Sequence, residues 1–506
     1  MLASAALESE CESRMVKCAW LQTKLRSLLR LITLAVRALT PLRPVRYRSG
    51  GPTIIVLGGY HTHTNTGDDA MAQAQILRLH AQIDSLEIVM VSQDINKTGV
   101  LYGTRSVPAL SGFAISKKAR FHKRILARSR RLAFLVGIGA QRLGLRLRLW
   151  DSARIILDEI PSCDLVLAVG GGYLNSLMPT ALYSHGMVYL TARAFRVPVV
   201  LSGQTIGPLN NRRDSRYARR VLSKAQLITL RDIGTSRSRL HALGVRGPVV
   251  LETADDAIDL PAVSKDQALS ALYKEEGSLQ EHGLPELLVA MNLKGSLRLY
   301  KDPTAKDSEL DHEIEVMAGL ADRLIDHYGA TLLLIPTGYG VTTDDRDLHR
   351  RLVSMVRSPE SIVPITGEYT APLLKGLIAL CDFAVGIRYH FCVFAASSTV
   401  PFLGMASGIY QRTKLKGLAD LCDLPDAYYP EDLATADVGS VWKHLVSCMS
   451  IRETTKAHLL ARIPVLVRRS QKSTDHAIGI LRAKYPDLVH PERVDTDLPA
   501  TGLGRR

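Results

Sequence analysis

The 506-residue sequence lacks the patterns that mark several common classes of protein. Its seven cysteines (11, 18, 163, 381, 392, 422 and 448) form no C-x-x-C pair and have no histidine cluster beside them. This spacing predicts neither a zinc site nor a disulfide framework, and fits a reducing compartment. No apolar run approaches the roughly 20 residues of a membrane span, and the acidic start MLASAALESECES is unlike a secretory signal.

Negative charge is also scarce, because 64 Lys and Arg residues stand against 49 Asp and Glu residues and give a formal net charge of +15. A balance this basic favours an anionic partner, either a nucleic acid, an acidic membrane surface or a phosphorylated substrate. The most basic block, SKKARFHKRILARSRR (116–131), contains Phe121 as its one aromatic residue. Because interleaved aromatics and RNP or zinc-finger patterns are missing, we expect no nucleic-acid partner.

Two segments combine basic and apolar residues. Residues 1–50 are predicted to form a basic amphipathic N-terminal helix ending at Pro41 and Pro44, and the block 116–131 continues into LAFLVGIGAQRLGLRLRLW. Each segment could pack on the protein's own core or lie on a membrane surface. Two such segments in one chain favour peripheral contact with an anionic membrane, with docking on the core as the open alternative.

Most of the chain alternates apolar runs with helix-period segments. In the first half the predicted strands are TIIVLGGY (53–60), LEIVMVS (86–92), DLVLAVGGGYL (164–174), VPVVLSGQTIGP (197–208) and LITLRD (227–232), separated by helices at 69–81, 180–195 and 212–224. In the second half they are LLVAMNL (287–293), TLLLIPTG (331–338), IVPIT (362–366), FAVGIR (383–388) and VPFLGMA (400–406), with helices at 311–328, 344–357 and 370–381. This alternation indicates an α/β fold of two Rossmann-like, doubly wound domains facing a central cleft.

Shifts in composition predict the domain limits. They are an N-terminal segment at 1–50, a first Rossmann-like domain at 51–262 with a basic insertion at about 115–150, a polar connection at 263–284, a second Rossmann-like domain at 285–440, C-terminal helices at 441–490 and a disordered tail at 491–506. A ligand site is expected where the domains meet, because open α/β sheets bind ligands beyond the carboxyl ends of their strands.

Glycine-containing turns follow three of the first-half strands. In GGYHTHTNTGDDAM, Asn65, Gly67 and Asp68 open a helix, where Asp68 would cap the helix or orient a substrate hydroxyl, capping being favoured.

The second turn, VGGGYLNS, contains Gly171 and Gly172, whose backbone N–H groups could approach an anion or a sugar. The third turn, SGQTIGPL, contains Gly207. Neither is a Walker loop or a G-x-G-x-x-G fingerprint.

Charged residues follow other strands. In AVGIRYHFCVFAASSTVP, Arg388, Tyr389 and His390 lie between a strand and a helix, a place suited to an anion. Arg231 ends another strand and would either pair with Asp232 or Asp255 or bind an anion. Together with Lys414, these arginines could hold a phosphate and a carboxylate, and His390 titrates near neutrality.

In order along the chain, the motifs are N-x-G-D-D/E-A, D-x-V-x-x-x-G-G-G, G-Q-x-I-G-P, R-D-x-x-x-S-x-x-x-L-x-x-L-G, T-A-D, G-x-R-x-H-x-x-x-x-A and P-F-L-G with a downstream lysine. This ordered set resembles the polysaccharide pyruvyl transferase family over about residues 53–425. The resemblance implies a GT-B-like fold and transfer of the enolpyruvyl group of phosphoenolpyruvate onto a sugar of a cell-envelope polysaccharide or glycolipid, with release of phosphate. It implies no metal site and no cofactor besides that donor.

The resemblance also implies roles for single residues. Arg231, Arg388 and His390 would line the phosphoenolpyruvate site, and Lys414 would match the downstream lysine of the family. We predict that His390 gives or relays the proton needed at the donor's methylene carbon, while Lys414 or Arg231 assists the departure of phosphate. The acceptor would be a hexose on a lipid-linked oligosaccharide or glycolipid, handled in the cytoplasm or on the inner face of the plasma membrane.

Three motifs depart from the family pattern. Tyr389 and Phe391 stand in R-Y-H-F where R-L-H-A is common, and would enlarge that wall of the site. Asp256 replaces the usual proline after T-A-D. The strand opening the second half usually ends in a small residue and an arginine, but here it reads AMNLKG, with Asn292 and Lys294, which leaves open whether a donor contact is lost.

Two rival functions stay open at this point. A nucleotide-sugar glycosyltransferase shares the architecture, and Glu368 in TGEYTAP could bind its ribose. A catalytically silent glycan-binding protein could use the same scaffold.

Overall fold

A computed structural model describes residues 40–41, 51–58, 63–113, 121–294, 308–340, 343–433 and 435–490. Most of the predicted N-terminal segment and the whole tail at 491–506 therefore lie outside the described residues. Among those that are described, no helix is long and apolar enough to span a bilayer.

The first half is built on an eight-stranded sheet whose pairings are all parallel. Its strands are β1 (Thr53–Leu57), β2 (Glu87–Ser92), β3 (Arg105–Pro108), β4 (Leu165–Ala168), β5 (Gly171–Leu174), β6 (Val199–Ile206), β7 (Leu227–Leu230) and β8 (Val249–Glu252). The order is β8-β7-β6-β4-β1-β2-β3, and β5 pairs with β6 beside this path. The predicted strand at 164–174 is therefore two strands.

The second half carries a six-stranded parallel sheet. Its strands are β9 (Leu288–Asn292), β10 (Thr331–Leu334), β11 (Ile362–Pro364), β12 (Phe383–Gly386), β13 (Phe402–Ala406) and β14 (Glu431–Asp432). They follow the order β11-β10-β9-β12-β13-β14. Two antiparallel pairs of two-residue strands lie outside the sheets, Thr40–Pro41 with Leu145–Arg146 and Tyr339–Gly340 with Thr343–Asp344.

Helices cover both sheets. They are α1 (Thr66–Gln82), α2 (Ile95–Tyr102), α3 (Phe121–Arg142), α4 (Asp151–Glu159), α5 (Pro179–Ala194), α6 (Arg212–Leu222), α7 (Thr235–Leu243), α8 (Lys265–Glu275), α9 (Ser278–His282), α10 (Ser308–Tyr328), α11 (Asp345–Val353), α12 (Ala371–Ala379), α13 (Tyr389–Ser397), α14 (Ile409–Cys422), α15 (Val438–Ser450), α16 (Arg452–Ser470) and α17 (Lys472–Arg482). Single 3₁₀ turns occur at Ile160–Ser162, Asp256–Ile258, Pro359–Ser361 and Asp426–Tyr428.

The apolar runs form strands because both faces of each sheet are covered. In β1, Ile54 and Val56 belong to one hydrophobic core and Ile55 and Leu57 to the core on the opposite face. All four are buried, so the run alternates between two cores rather than between core and solvent. The α/β class with parallel sheets is confirmed.

The two halves are joined at the turn before α1. The backbone N–H of Thr66 donates to the carbonyl of Thr337 at 3.1 Å, and the N–H of Tyr339 donates to the carbonyl of Thr64 at 2.9 Å. The last helix, α17, returns to the first half, where Ser473 accepts a hydrogen bond from the Gln75 amide at 3.3 Å. These contacts bring the carboxyl ends of both sheets together.

The polar stretch at 263–284, predicted as a connection between the domains, is mostly helical. Ser264 caps α8 in a capping box with Gln267, and Ala268 and Leu272 are buried in the core. Few apolar residues face inward here, which is why the composition resembles that of a linker.

Candidate active site

A cavity of about 160 Å³ lies where the strand ends of the two halves face each other. Its walls come from β5 and from turns and helix starts that follow β1, β5, β7, β9, β12 and β13. The lining residues are Asn65, Asp68, Gly172, Tyr173, Met178, Arg231, Lys294, Arg388, Tyr389, His390, Tyr410 and Lys414. Eight of the residues predicted from the sequence are among them.

Arg231 is held from the first half by an ion pair with Asp255. Its Nη1 donates to Asp255 Oδ2 at 2.6 Å and its Nε donates to Thr205 Oγ1 at 3.0 Å. Both charged side chains are almost fully buried. Nη2 has no hydrogen-bond partner among the described residues and lies 3.6 Å from the place of a Cβ on Gly172, at the cavity wall. Arg231 is therefore a structural ion-pair partner that still presents one nitrogen to the cavity.

Arg388 is held in the same way from the second half. Its Nε and Nη2 donate to the carboxylate of Asp345 at 2.7 and 2.6 Å. Its backbone N–H donates to Asn292 Oδ1 at 3.2 Å, which fixes the start of α13. The guanidinium lies against Gly338, where any side chain would clash with it. Asp345, at the start of α11, is a partner that the sequence analysis did not predict.

The surroundings of Lys294 and Lys414 differ from those of the two arginines. No described carboxylate lies within ion-pairing distance of either ammonium group, and both line the cavity. Burial, with a contribution from Arg388, lowers the pKa of Lys294 to about 8. Burial, together with Arg231 and Lys294, holds the pKa of Lys414 well below its ordinary value. The cavity thus contains two cations that carry an unbalanced electrostatic cost until an anion arrives.

Tyr389 forms the aromatic floor of this cluster. The Arg231 guanidinium and the Lys414 ammonium each lie 4.7 Å from the centre of its ring. Such contacts partly compensate buried cations. Phe391, in contrast, is fully buried against Gly386 and does not line the cavity, so the prediction that it enlarges this wall is wrong.

His390 lies between the Arg231–Asp255 ion pair and α1. Its Nε2 is 3.4 Å from Arg231 Nη1 and 3.7 Å from Asp255 Oδ2. Burial lowers the pKa of His390 although Asp255 opposes the shift, so burial favours the neutral imidazole. Gly67 packs against the ring, and a side chain there would clash with it.

Asp68 faces the cavity rather than capping α1. The cap is Asn65, whose side-chain oxygen accepts from the N–H of Gly67 at 3.2 Å, so the favoured capping role of Asp68 is wrong. The Asp68 side chain makes no hydrogen bond to a described residue. Burial raises its pKa, against the opposing effect of His390.

The glycines of the other turns differ in position. Gly172 lines the cavity, and its carbonyl accepts a hydrogen bond from the Tyr410 hydroxyl at 2.8 Å. Gly171 lies one residue behind it, where a Cβ would contact the Tyr173 ring at 2.5 Å. Gly207 lies outside the cavity, near the Arg239 side chain.

Asp256 lies behind the glycine turns. It accepts from Ser202 Oγ at 2.6 Å and from the N–H of Gly170 at 3.2 Å. Burial raises its pKa to about 7. The replacement of the usual proline by Asp256 therefore changes how the glycine turns are held, and it does not change the cavity wall.

A sequence model of the family described as Polysaccharide pyruvyl transferase matches residues 65–408. The chain belongs to the polysaccharide pyruvyl transferase family. This match runs from the Asn65 turn past α13 and so includes most of the cavity wall.

A relative within polysaccharide biosynthesis supports the same assignment. The chain is 21% identical over 375 residues to the amylovoran biosynthesis protein AmsJ of Erwinia amylovora, a match that covers 74% of this chain and 86% of AmsJ. Together with the family match, this makes the protein a transferase of the pyruvyl transferase type in polysaccharide biosynthesis.

Solved structures show the fold. A putative UDP-N-acetylglucosamine 2-epimerase of Listeria monocytogenes aligns with a TM-score of 0.52 at 11% identity, covering 88% of this chain and 99% of that one. The MnaA–UDP structure of S. aureus aligns with a TM-score of 0.51 at 12% identity, covering 87% and 98%. The GT-B-like architecture is thereby confirmed, while identities this low carry no information on the ligand.

Glu368, the residue considered for a nucleotide ribose, is not among the lining residues. It is half-exposed and lies 3.3 Å from Arg346 Nη2 on the outside of the second half. The glycosyltransferase alternative is not favoured.

Proposed function

We propose that this protein transfers the enolpyruvyl group of phosphoenolpyruvate onto two hydroxyls of one sugar, forming a pyruvate ketal and releasing phosphate, with no cofactor besides the donor. The observation that carries this proposal is the cluster of four cations, Arg231, Arg388, Lys294 and Lys414, around one small cavity. A volume of about 160 Å³ is below the roughly 300 Å³ of typical drug-sized ligand pockets. It suits a three-carbon phosphate ester better than a nucleotide sugar.

The cations have separate tasks in this proposal. Arg231 Nη2 and the Arg388 guanidinium, both fixed by aspartates, orient the donor with little loss of side-chain entropy. Lys294 and Lys414 supply the unbalanced positive charge that binds the phosphate and stabilises it as it leaves. The sequence AMNLKG left open whether a contact with the donor is lost. In this proposal Lys294 supplies that contact.

The reaction needs a proton on the methylene carbon, a base for the attacking hydroxyl, and cleavage of the bond between C2 and the phosphate oxygen. Two hydroxyl protons are lost; one replaces the proton given to the methylene carbon and the other leaves with phosphate. The pKa values of Asp68 and His390 are moved in opposite directions, which is the arrangement of an acid and a base. Asp68 would donate to the methylene carbon and neutral His390 would accept from the sugar hydroxyl, a reversal of the donor role predicted for His390.

The acceptor in this proposal is a hexose of a cell-envelope glycan, carried on a lipid and reached from the cytoplasmic side of the plasma membrane. The membership in a polysaccharide-biosynthesis family and the basic segments support it. The cavity itself contains no motif that identifies the sugar.

Acceptor-dependent release of phosphate from phosphoenolpyruvate tests the proposal. Purified protein is incubated with the donor and a panel of hexose-containing acceptors, and ketal formation is followed by mass spectrometry. His390→Gln is expected to lower kcat by about 100-fold or more. Turnover by His390→Gln near that of the unsubstituted protein would contradict the acid–base assignment, and a response to UDP- or GDP-sugars but not to phosphoenolpyruvate would contradict the donor.

A further inference from the structure

Helices α3 and α6 place basic residues next to each other on the outside of the first half. The Arg131 guanidinium lies 4.6 Å from the centre of the Tyr183 ring, and the Arg213 guanidinium lies 5.2 Å from the same ring. Because Tyr183 belongs to α5, the two helices flank α5, and Arg131 and Arg213 meet over its first turns. We call the exposed residues Ile125, Arg128, Leu132 and Val136 of α3, with Arg212 and Arg216 of α6, the α3–α6 surface.

The apolar part of this surface has no partner among the described residues. On its inner side α3 buries Ala127, Phe134 and Ile138, and the last two belong to the core of the first half. On the outer side Leu132 is 61% exposed, Val136 50% and Ile125 49%. Their spacing of seven and four residues places them on one side of the helix. Packing on the core explains the inner apolar side of α3, but it does not explain the exposed apolar residues on the outer side.

The charge of this surface has one sign. Residues 125–150 contain no aspartate or glutamate. The one acid of α6, Asp214, is buried and accepts from Tyr183 and Ser176 at 2.8 Å each, so it does not face outward. An apolar stripe on a helix that exposes no acid of its own, with further exposed arginines on α6, fits the interface of an anionic bilayer, where apolar side chains enter below the headgroups and arginines contact them.

Helix α5 connects the region of this surface to the cavity wall. Met178 lines the cavity and directly precedes α5, and Tyr183, which both arginines cover, lies on the first turns of that helix. A bilayer bound here would be adjacent to the cavity.

We propose that the α3–α6 surface binds an anionic lipid bilayer and so holds the cavity next to membrane-borne substrate. The purpose of this contact rests on the proposed function, but the contact itself does not depend on phosphoenolpyruvate. Its failure and the failure of the proposed function are therefore measured separately.

Co-sedimentation of the full-length protein with vesicles tests the proposal. Vesicles of phosphatidylcholine with phosphatidylglycerol are compared with phosphatidylcholine alone, at low and high salt. Binding is expected to anionic vesicles and to weaken with salt. Leu132→Ser combined with Val136→Ser should lower the partition coefficient about tenfold or more, whereas Leu460→Ser, a 57% exposed leucine of α16, should leave it unchanged.

Charge is tested separately. Arg212→Gln combined with Arg216→Gln should weaken binding roughly fivefold for each charge removed. The matched pair Arg468→Gln and Arg482→Gln, on the C-terminal helices, should have a much smaller effect. Phosphate release with a soluble acceptor should be the same in all these variants, because none of these residues lines the cavity.

Three results would overturn the proposal. One is the absence of binding to anionic vesicles. Another is binding that the α3 and α6 variants leave unchanged, which would assign it to another part of the chain. The third is a dimer in light scattering that dissociates in Leu132→Ser with Val136→Ser, which would make a second copy of the chain the occupant of the surface.

Discussion

Two kinds of cation line the cavity, and their surroundings differ. Arg231 and Arg388 are each bound to a buried aspartate, Asp255 and Asp345, whereas no described carboxylate pairs with Lys294 or Lys414. The paired arginines are part of the folded structure whether or not substrate is present. The lysines are desolvated with no carboxylate ion-pair partner among the described residues, so they gain most when an anion binds. A positive charge therefore contributes to stability at the two arginines and to anion binding at the two lysines.

The largest effect is expected from breaking an arginine pair. Asp255→Ala leaves the Arg231 charge buried without its partner, which should lower the free energy of unfolding by about 3–5 kcal/mol. Denaturant unfolding measures this loss. As a control, Asp420→Ala removes the exposed pair with Lys416 and should cost less than about 1 kcal/mol. Similar losses in the two variants would remove the distinction between a buried pair and an exposed one.

The opposite behaviour is expected at a lysine. Lys414→Met should lower kcat/KM for phosphoenolpyruvate about 100-fold or more, with an unfolding free energy that is unchanged or higher, because a desolvated unpaired amine is removed. Lys416→Met, two residues along the same helix and exposed, should keep full activity. A loss of stability in Lys414→Met would show that this lysine is a structural group like the arginines.

The pH dependence should separate Lys294 from the arginines. Only the protonated amine attracts the donor, and the pKa of Lys294 in the free protein is about 8. Its contribution to kcat/KM is therefore present below pH about 8 and is lost as the pH rises through that value, by up to about tenfold per pH unit. In Lys294→Arg this alkaline decrease should move to higher pH. A decrease that stays in place would assign it to another group.

The smallest effect is expected at Tyr389, which supports both kinds of cation. Its hydroxyl is buried without a hydrogen-bond partner among the described residues, so Tyr389→Phe should be near neutral. Tyr389→Leu removes the ring and should weaken donor binding by roughly a factor of 5, the value of one or two cation–π contacts. Equal affinities of the two variants would show that the ring does not stabilise the cations.

The sequence predicts the fold well where one physical signal dominates. Continuous apolar runs such as TIIVL become strands because both of their faces are buried. Helices alternate with these strands as predicted. The prediction fails where the signal is mixed. The glycines of VGGGYL interrupt one apolar run, which becomes the two strands β4 and β5 in place of the single strand predicted.

The site is predictable to a similar extent. Arg231, Arg388, His390 and Lys414 follow strands and helix starts in recognisable motifs, and the structure brings them to one cavity. Their partners are not apparent in the sequence, because Asp345 is 43 residues from Arg388 and on a different element. The distinction between a paired arginine and an unpaired lysine depends on such long-range contacts.

Calorimetric titration of phosphoenolpyruvate into the protein at neutral pH, in two buffers with different ionisation enthalpies, tests the central claim most directly. Burial holds the pKa of the free Lys414 amine below its ordinary value, and a bound anion opposes that shift, so the charge of Lys414 is expected to strengthen donor binding. The account predicts equal binding by the unsubstituted protein and Lys416→Met, and weaker binding with less proton uptake in Lys414→Met. Donor binding of equal strength and equal proton uptake in Lys414→Met, or no binding of phosphoenolpyruvate at all, would contradict it.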